Sequence, residues 1–263
     1  MKPSKYKPGS ARVIVVSSGK GGVGKSFLSM SLAAELSSRG QRVALFDGDL
    51  GLANLHLLLG INAPNDLSAV IEGRKTLSQI ILKGPAGLRL VLGASGIRDM
   101  ADLSEPQVVK LMLDMIDLLE PLEFLVVDTG AGIGAHVTTL AKMADLVLVV
   151  VRDEVASLAD AYGLIKVMHC DFKQQNMRIV MNDVSSDQQA KEVFERLNTV
   201  SKNFIGLPLV CSGVIPHDRS VPAAARKRKL VRDFRADSPA AEAVRRLADK
   251  LLADPLVAEQ PET

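Results

Sequence analysis

Gly19-Lys20-Gly21-Gly22-Val23-Gly24-Lys25-Ser26 decides the fold of this chain. An apolar β-branched run, Val13-Ile14-Val15-Val16, precedes it, and Phe27-Leu28-Ser29-Met30-Ser31-Leu32-Ala33-Ala34 follows with helical spacing. The order is strand, loop, helix. Glycines permit positive φ and let successive backbone N–H groups converge on one phosphate-sized anion, to which the helix presents its partial positive end. The spacing G-x-x-x-x-G-K-S makes Gly21, Gly22, Val23, Gly24 and Phe27 the expected cradle of a nucleotide. Lys25 is expected to reach the β- and γ-phosphates, and the Ser26 hydroxyl to stand on Mg²⁺. A second lysine inside the cradle, Lys20, exceeds what one nucleotide held from one side requires.

Composition narrows the class. At 263 residues, with 47% apolar and 24% charged residues, the chain has the makeup of an ordinary globular protein with a substantial core. A net charge of +2 implies neither nucleic acid nor an anionic membrane by itself, and 3% aromatics without Trp remove most means of stacking single-stranded bases. Cys170 and Cys211 form no C-x-x-C pair and read as small hydrophobes in a reduced compartment. Polar, basic residues 1–10 are expected to be a flexible lead-in and not a signal peptide. The longest apolar run, residues 146–151, is too short to span a bilayer. The expected location is the cytoplasm.

Strand and helix patterns alternate along residues 11–252, and residues 253–263 read as a flexible acidic tail. After a helix to about Arg39, closed by Gly40, a buried strand at 42–46 delivers Asp47-Gly48-Asp49 at its C-terminal end, where open parallel sheets bind ligands. Asp47 is therefore a candidate for magnesium. Residues 50–60 start as a loop and become a short apolar helix; 66–71 and 78–82 read as two further helices, 88–92 as a strand, and Ser104 as the cap of a helix to about Leu119. The strand at 124–128 ends in Asp128, a candidate magnesium partner acting through Ser26 or a water, and residues 129–134 carry three glycines in a switch-like loop. Further strands are expected at 145–151, 176–181 and 207–215, with helices at 157–169 and 187–203, the latter carrying Val193, Phe194, Leu197 and Val200 on one face. The fold class is a single α/β domain with a doubly wound, mainly parallel sheet.

The string K-G-G-x-G-K-[ST], matched from Lys20 to Ser26, resembles the MinD/ParA family of deviant Walker A ATPases. Asp47-Gly48-Asp49, Asp128-Thr129-Gly130-Ala131-Gly132 and Gly213-Val214-Ile215-Pro216-His217-Asp218 continue the likeness. Asp49-Leu50-Gly51-Leu52-Ala53-Asn54-Leu55, Ile133-Gly134 and residues 160–166 are similar to its FlhG/FleN branch, which controls flagellar number and placement. The resemblance implies a P-loop NTPase fold of the SIMIBI type, ATP or ADP with Mg²⁺ as cofactors, and slow ATP hydrolysis. It implies an ATP-dependent homodimer in which Lys20 crosses to the partner's phosphates. Asp49 is then expected to position the attacking water, Asn182 to contact adenine, Pro216 to pack on the ring and His217 to lie close by. Implied partners are an FlhF-like GTPase, a flagellar transcription activator or a switch-complex protein.

Residues 1–11 contain no D-Q-A segment of the kind that stimulates the GTPase in that branch. Ala240, Val244, Leu247 and Leu251 form a C-terminal apolar stripe whose opposite face has mixed charge and no aromatic anchor. That suits docking on the core better than lipid, although peripheral attachment at the membrane or pole stays open. A ParA-type DNA partition ATPase is one alternative, carried by Arg226-Lys227-Arg228-Lys229 and diluted by Asp233 and Asp237. A MinD-type division-site regulator is another.

Overall fold

β1 (Arg12–Ser18) buries Val13 to Ser18, four of them β-branched and apolar, and leaves only Arg12 partly exposed, which a strand achieves with partners on both edges and layers on both faces. The computed structural model describes residues 11–94, 102–119 and 121–254. The expected lead-in at 1–10, most of the expected tail and Ser95-Gly96 lie outside them.

The remaining strands are β2 (Val43–Gly48), β3 (Leu82–Lys83), β4 (Arg89–Val91), β5 (Phe124–Ala131), β6 (Leu146–Val151), β7 (Met177–Val184) and β8 (Val210–Pro216), in the spatial order β3-β4-β2-β5-β1-β6-β7-β8. Every pairing is parallel except β3 with β4. β1 lies between β5 and β6, so its C-terminal end opens into the crevice where the winding direction reverses. The β2–β5 register sets Asp47 directly beside Asp128 at that edge.

Alternate strand residues serve two cores. Val13, Val15, Phe46, Leu125, Val127 and Val149 pack toward α5 (Glu105–Leu118), α6 (Ala135–Met143), α7 (Val155–Cys170) and α8 (Asp187–Ile205). Ile14, Val16, Leu45, Val126 and Leu148 face α1 (Lys25–Ser38) and α11 (Pro239–Leu252). The C-terminal stripe Ala240, Val244, Leu247 and Leu251 is wholly buried against β8 and α1, so α11 is a core helix. Arg39 on α1 pairs with Asp249 on α11 at 2.7 Å, and the nearly buried Glu35 holds both Arg39 and Arg232.

The described residues also form five short α-helices, α2 (Leu55–Leu59), α3 (Leu67–Ile71), α4 (Leu77–Ile80), α9 (Ser220–Arg226) and α10 (Val231–Phe234), and a 3₁₀ turn at Pro85–Gly87. Several expectations need correction. α4 stops at Ile80 because the chain turns into the edge strand β3. β5 continues to Ala131, since the Thr129 hydroxyl bonds to the Val16 carbonyl of the neighbouring strand at 3.1 Å and keeps the pair zipped. α6, α9 and α10 occupy stretches assigned to no element. Val200, expected on the buried face of α8, is 37% exposed, while Val193 and Leu197 are buried.

Candidate functional site

The turn after β1 is held by close backbone approaches that only glycine permits. A Cβ on Gly19 would stand 2.1 Å from the Asp160 carbonyl carbon on α7, so the loop lies directly against that helix. Gly24, the N-cap of α1, has φ +99, and a Cβ there would meet the Asn182 side-chain nitrogen at 2.2 Å. Asn182 is itself buried and donates to the Val23 carbonyl at 2.7 Å, tying the end of β7 to the loop.

Above the loop lies a cleft of about 810 Å³ lined by Gly21, Gly22, Gly24, Lys25 and Ser26 on one side and by Asp49, Asn54, Thr129 and Gly130 on the other. A second recess, about 250 Å³, is bounded by Asn182, Pro216, His217, Arg152 and Asp183 and shares Gly22, Gly24 and Phe27 with the first. The two make one trough across the loop. Its first part carries charged residues, Lys25 and Asp49, and its second is more enclosed and more apolar.

Electrostatics in the first part are strongly perturbed. Burial lowers the Lys25 pKa from 10.5, against the pull of Asp128 and Asp49. Asp128 is buried, and that burial raises its pKa to about 6 although the Ser26 and Ser29 hydroxyls bond to it, Ser29 at 2.8 Å. Asp47 is driven to about 7, first by burial and then by the charge of Asp128. A cation beside these two carboxylates would relieve both, and Ser26 and Asp128 stand together at the start of α1.

Asp47 is otherwise engaged: it accepts from the Asn54 and Leu55 amides, each at 3.1 Å, and so pins the loop that carries Asp49. Asp49 lies against Gly130, where a Cβ would stand 3.4 Å from its carboxylate oxygen. Gly132 in turn donates to the Ser18 carbonyl at 2.8 Å, fastening the end of β5 to β1.

Lys20, on the loop, is half exposed, with its ammonium 2.7 Å from Glu154. Glu154 also faces Arg152 at 3.3 Å; Arg152 bonds to Asp183, and Asp183 shares a 2.7 Å hydrogen bond with His217. A chain of charges thus runs from the loop lysine to the far wall of the second recess.

Over residues 14–231 the sequence matches the CobQ/CobB/MinD/ParA nucleotide binding domain. This chain belongs to that family. It is 42% identical over 247 residues to the antiactivator FleN of Pseudomonas aeruginosa, covering 94% of this chain and 88% of that one. The flagellum site-determining protein YlxH of Helicobacter pylori is 31% identical over 245 residues, covering 93% and 83%. The septum site-determining protein MinD complexed with Mg-ADP from Pyrococcus horikoshii shares the fold, with a TM-score of 0.76 at 21% identity over 96% of this chain and 100% of that chain. Within the MinD/ParA family the chain therefore resembles the FlhG/FleN branch.

The structure lines the first part of the trough with Lys25, Ser26 and Asp49, pairs Asp47 with Asp128 toward the C-terminal ends of β2 and β5, holds Lys20 on Glu154, and sets Asn182, Pro216 and His217 around the adjoining recess. Asn182 spends its amide on the loop. The sequence reading assigned no role to Arg152, Asp183 or Asn54. Arg152 directly follows β6 and Asp183 lies near the C-terminal end of β7, as Asp47 does in β2, and that position was the available signal; Asn54 had none beyond its place in the loop.

Proposed function

We propose that this chain is a Mg²⁺-dependent ATPase that works as a dimerising switch in the control of flagellar number or placement. The observation that carries the proposal is the buried Asp128 carboxylate, bonded to Ser26 at the mouth of an N–H-lined cradle whose lysine, Lys25, is also buried. Such a site is costly unless a cation and a polyanion complete it.

In this proposal the backbone of residues 21–26 and Lys25 hold the phosphates, and Ser26 and Asp128 hold the metal side. Mg²⁺ supplies charge neutralisation on the triphosphate. Pro216 and His217 wall the base, and Asn182 keeps the loop in shape beneath it. Asp49 takes a proton from the attacking water. Lys20 leaves Glu154 and reaches the phosphates of a second copy, so that ATP and not ADP completes the dimer. The dimer then engages an FlhF-like GTPase, a flagellar transcription activator or a switch-complex protein, the antiactivator FleN being a relative. Among the described residues no helix is long and apolar enough to cross a membrane, and α11 spends its stripe on the core.

The test is the mass of Asp49→Ala by light scattering in ADP and in ATP with Mg²⁺, repeated with liposomes and with DNA. Dimer only with ATP supports the switch. A mass that ignores nucleotide refutes it, and co-elution with DNA moves the assignment to a partition ATPase working through Arg226 to Lys229.

A further inference from the structure

The turn between α9 and α10 carries Arg226, Lys227, Arg228 and Lys229 in succession, all four exposed. None has a carboxylate partner among the described residues, and the acids that follow are engaged elsewhere: Asp233 stands 3.8 Å from Arg232, and Asp237 3.2 Å from Arg235. Lys227 lies over the Phe234 ring, 5.5 Å from its centre.

The turn is fixed. Arg228 and Lys229 donate their backbone N–H groups to the Ala225 and Ala224 carbonyls at 3.0 and 3.1 Å. Arg228 has φ +53 and packs on the end of α2, where a Cβ on Gly60 would meet its own Cβ at 3.0 Å. A left-handed residue in such a turn is ordinarily glycine or asparagine, which adopt that backbone with less strain. An arginine there keeps the strain and sets a cation on a rigid turn, a use of strained backbone found at recognition sites.

Beside the cations is a mainly apolar pocket of about 60 Å³ lined by Phe27, Met30, Leu58 and Val231, together with Ala225 and Lys229. A dry cavity of about 150 Å³ holds benzene, so this one has room for one short aliphatic side chain. Phe27 also lines the phosphate cleft and the adjoining recess, which puts an occupant one side chain from the nucleotide site. Cations around an apolar socket select among polyanions. Nucleic acid brings phosphates but no aliphatic side chain, and a lipid surface brings acyl chains longer than the socket. A peptide brings carboxylates and one short apolar side chain together.

We propose that the α9–α10 turn is a docking surface for an acidic peptide segment of a partner protein, whose carboxylates meet Arg226, Lys227, Arg228 and Lys229 while one aliphatic side chain enters the pocket. The charges speed encounter and the buried anchor fixes register. The inference stands whether or not the chain hydrolyses ATP.

Fluorescence anisotropy of the full chain is read with two labelled peptide pools, each of Asp and Glu around one central position, which is Leu, Ile or Val in one pool and Ser in the other. Duplex DNA and anionic vesicles are the competitors, at equal charge. Wild type is expected to prefer the anchored pool about tenfold, the worth of one buried aliphatic side chain, and to lose affinity as salt rises. Ala225→Leu fills the socket and is expected to bind both pools alike. Arg226→Gln with Arg228→Gly is expected to bind the anchored pool about tenfold more weakly, with a melting temperature within about 2 °C of wild type because glycine accepts the left-handed backbone. Wild type that does not distinguish the pools, an Ala225→Leu chain that still does, or a double variant that binds as tightly as wild type overturns the inference. A double variant that melts well below wild type overturns it in favour of a structural turn. DNA or vesicles that displace the anchored pool overturn it too, and give the surface to nucleic acid or membrane.

Discussion

Lys20 and Glu154, 134 residues apart in sequence, meet at 2.7 Å where the glycine loop approaches the start of α7. The pair is half exposed, so it is weak and screened by salt. Glu154→Gln frees Lys20 and is expected to lower the ATP concentration needed for dimerisation in dilute buffer, an effect that fades near 0.5 M salt on the order of the Debye argument. Lys20→Ala should still bind nucleotide as a monomer and lose both dimerisation and turnover. A Lys20→Ala chain that dimerises and hydrolyses normally shows that the lysine does not act across an interface.

Asp49→Ala removes the proposed proton acceptor without touching the cradle. Nucleotide binding is expected to hold within about twofold while hydrolysis falls by roughly 10²–10⁴, leaving an ATP-bound dimer that persists. Gel filtration after ATP addition reads the persistence directly.

Asn182 can be tested as a tether against a base contact. Asn182→Ala deletes the 2.7 Å bond to Val23, so affinity should drop for inorganic tripolyphosphate as well as for ATP. If only ATP suffers, the side chain serves adenine. Gly24→Ala, forced to φ +99 and into the Asn182 amide, should cost about 1–3 kcal/mol and abolish binding of both.

Asp47 and Asp128, with pKa values raised to about 7 and about 6 from 3.8, bind protons more readily folded than unfolded. Their contribution to stability is present below the unfolded value and lost as pH rises through the folded values. The melting temperature of the nucleotide-free protein is therefore expected to fall between about pH 4 and about pH 7, the window those two shifts define. Lys25, lowered from 10.5, works against this slope at the alkaline end. Asp128→Asn should flatten the fall; a flat wild-type profile contradicts the assignment.

Leu247 is 1% exposed, packed among α1 and β8 residues. Leu247→Ala should lower stability by about 2–5 kcal/mol. Sedimentation with anionic liposomes should give the same result for wild type and variant.

Local chemistry explains what the sequence revealed. From Val13 to Ala34 a β-branched run, a glycine loop and a helical apolar pattern follow one another without conflict, so strand, cradle and helix were all legible. Asp49 and Asp128 were legible because each closes or follows a buried strand. The long-range partners were not: nothing near Asn182 announces Val23, and nothing near Asp47 announces that its carboxylate is spent on the Asn54 and Leu55 amides. α6 was missed because His136-Val137-Thr138-Thr139 carries β-branched residues of low helix propensity, overridden by burial of Val137 and Leu140. α9 was missed because Pro222 sits in a seven-residue segment, where it is tolerated in the first turn.

The layer over one face of the central strands is completed only by α11, the last helix of the described chain, which lies on β8 and α1 and is bolted to Arg39 by Asp249. During synthesis the cradle and its helix therefore emerge first and wait, with Leu28 and Leu32 uncovered, for a segment more than two hundred residues later. A chain truncated before Pro239 is expected to leave that face of the core uncovered and to lose stability.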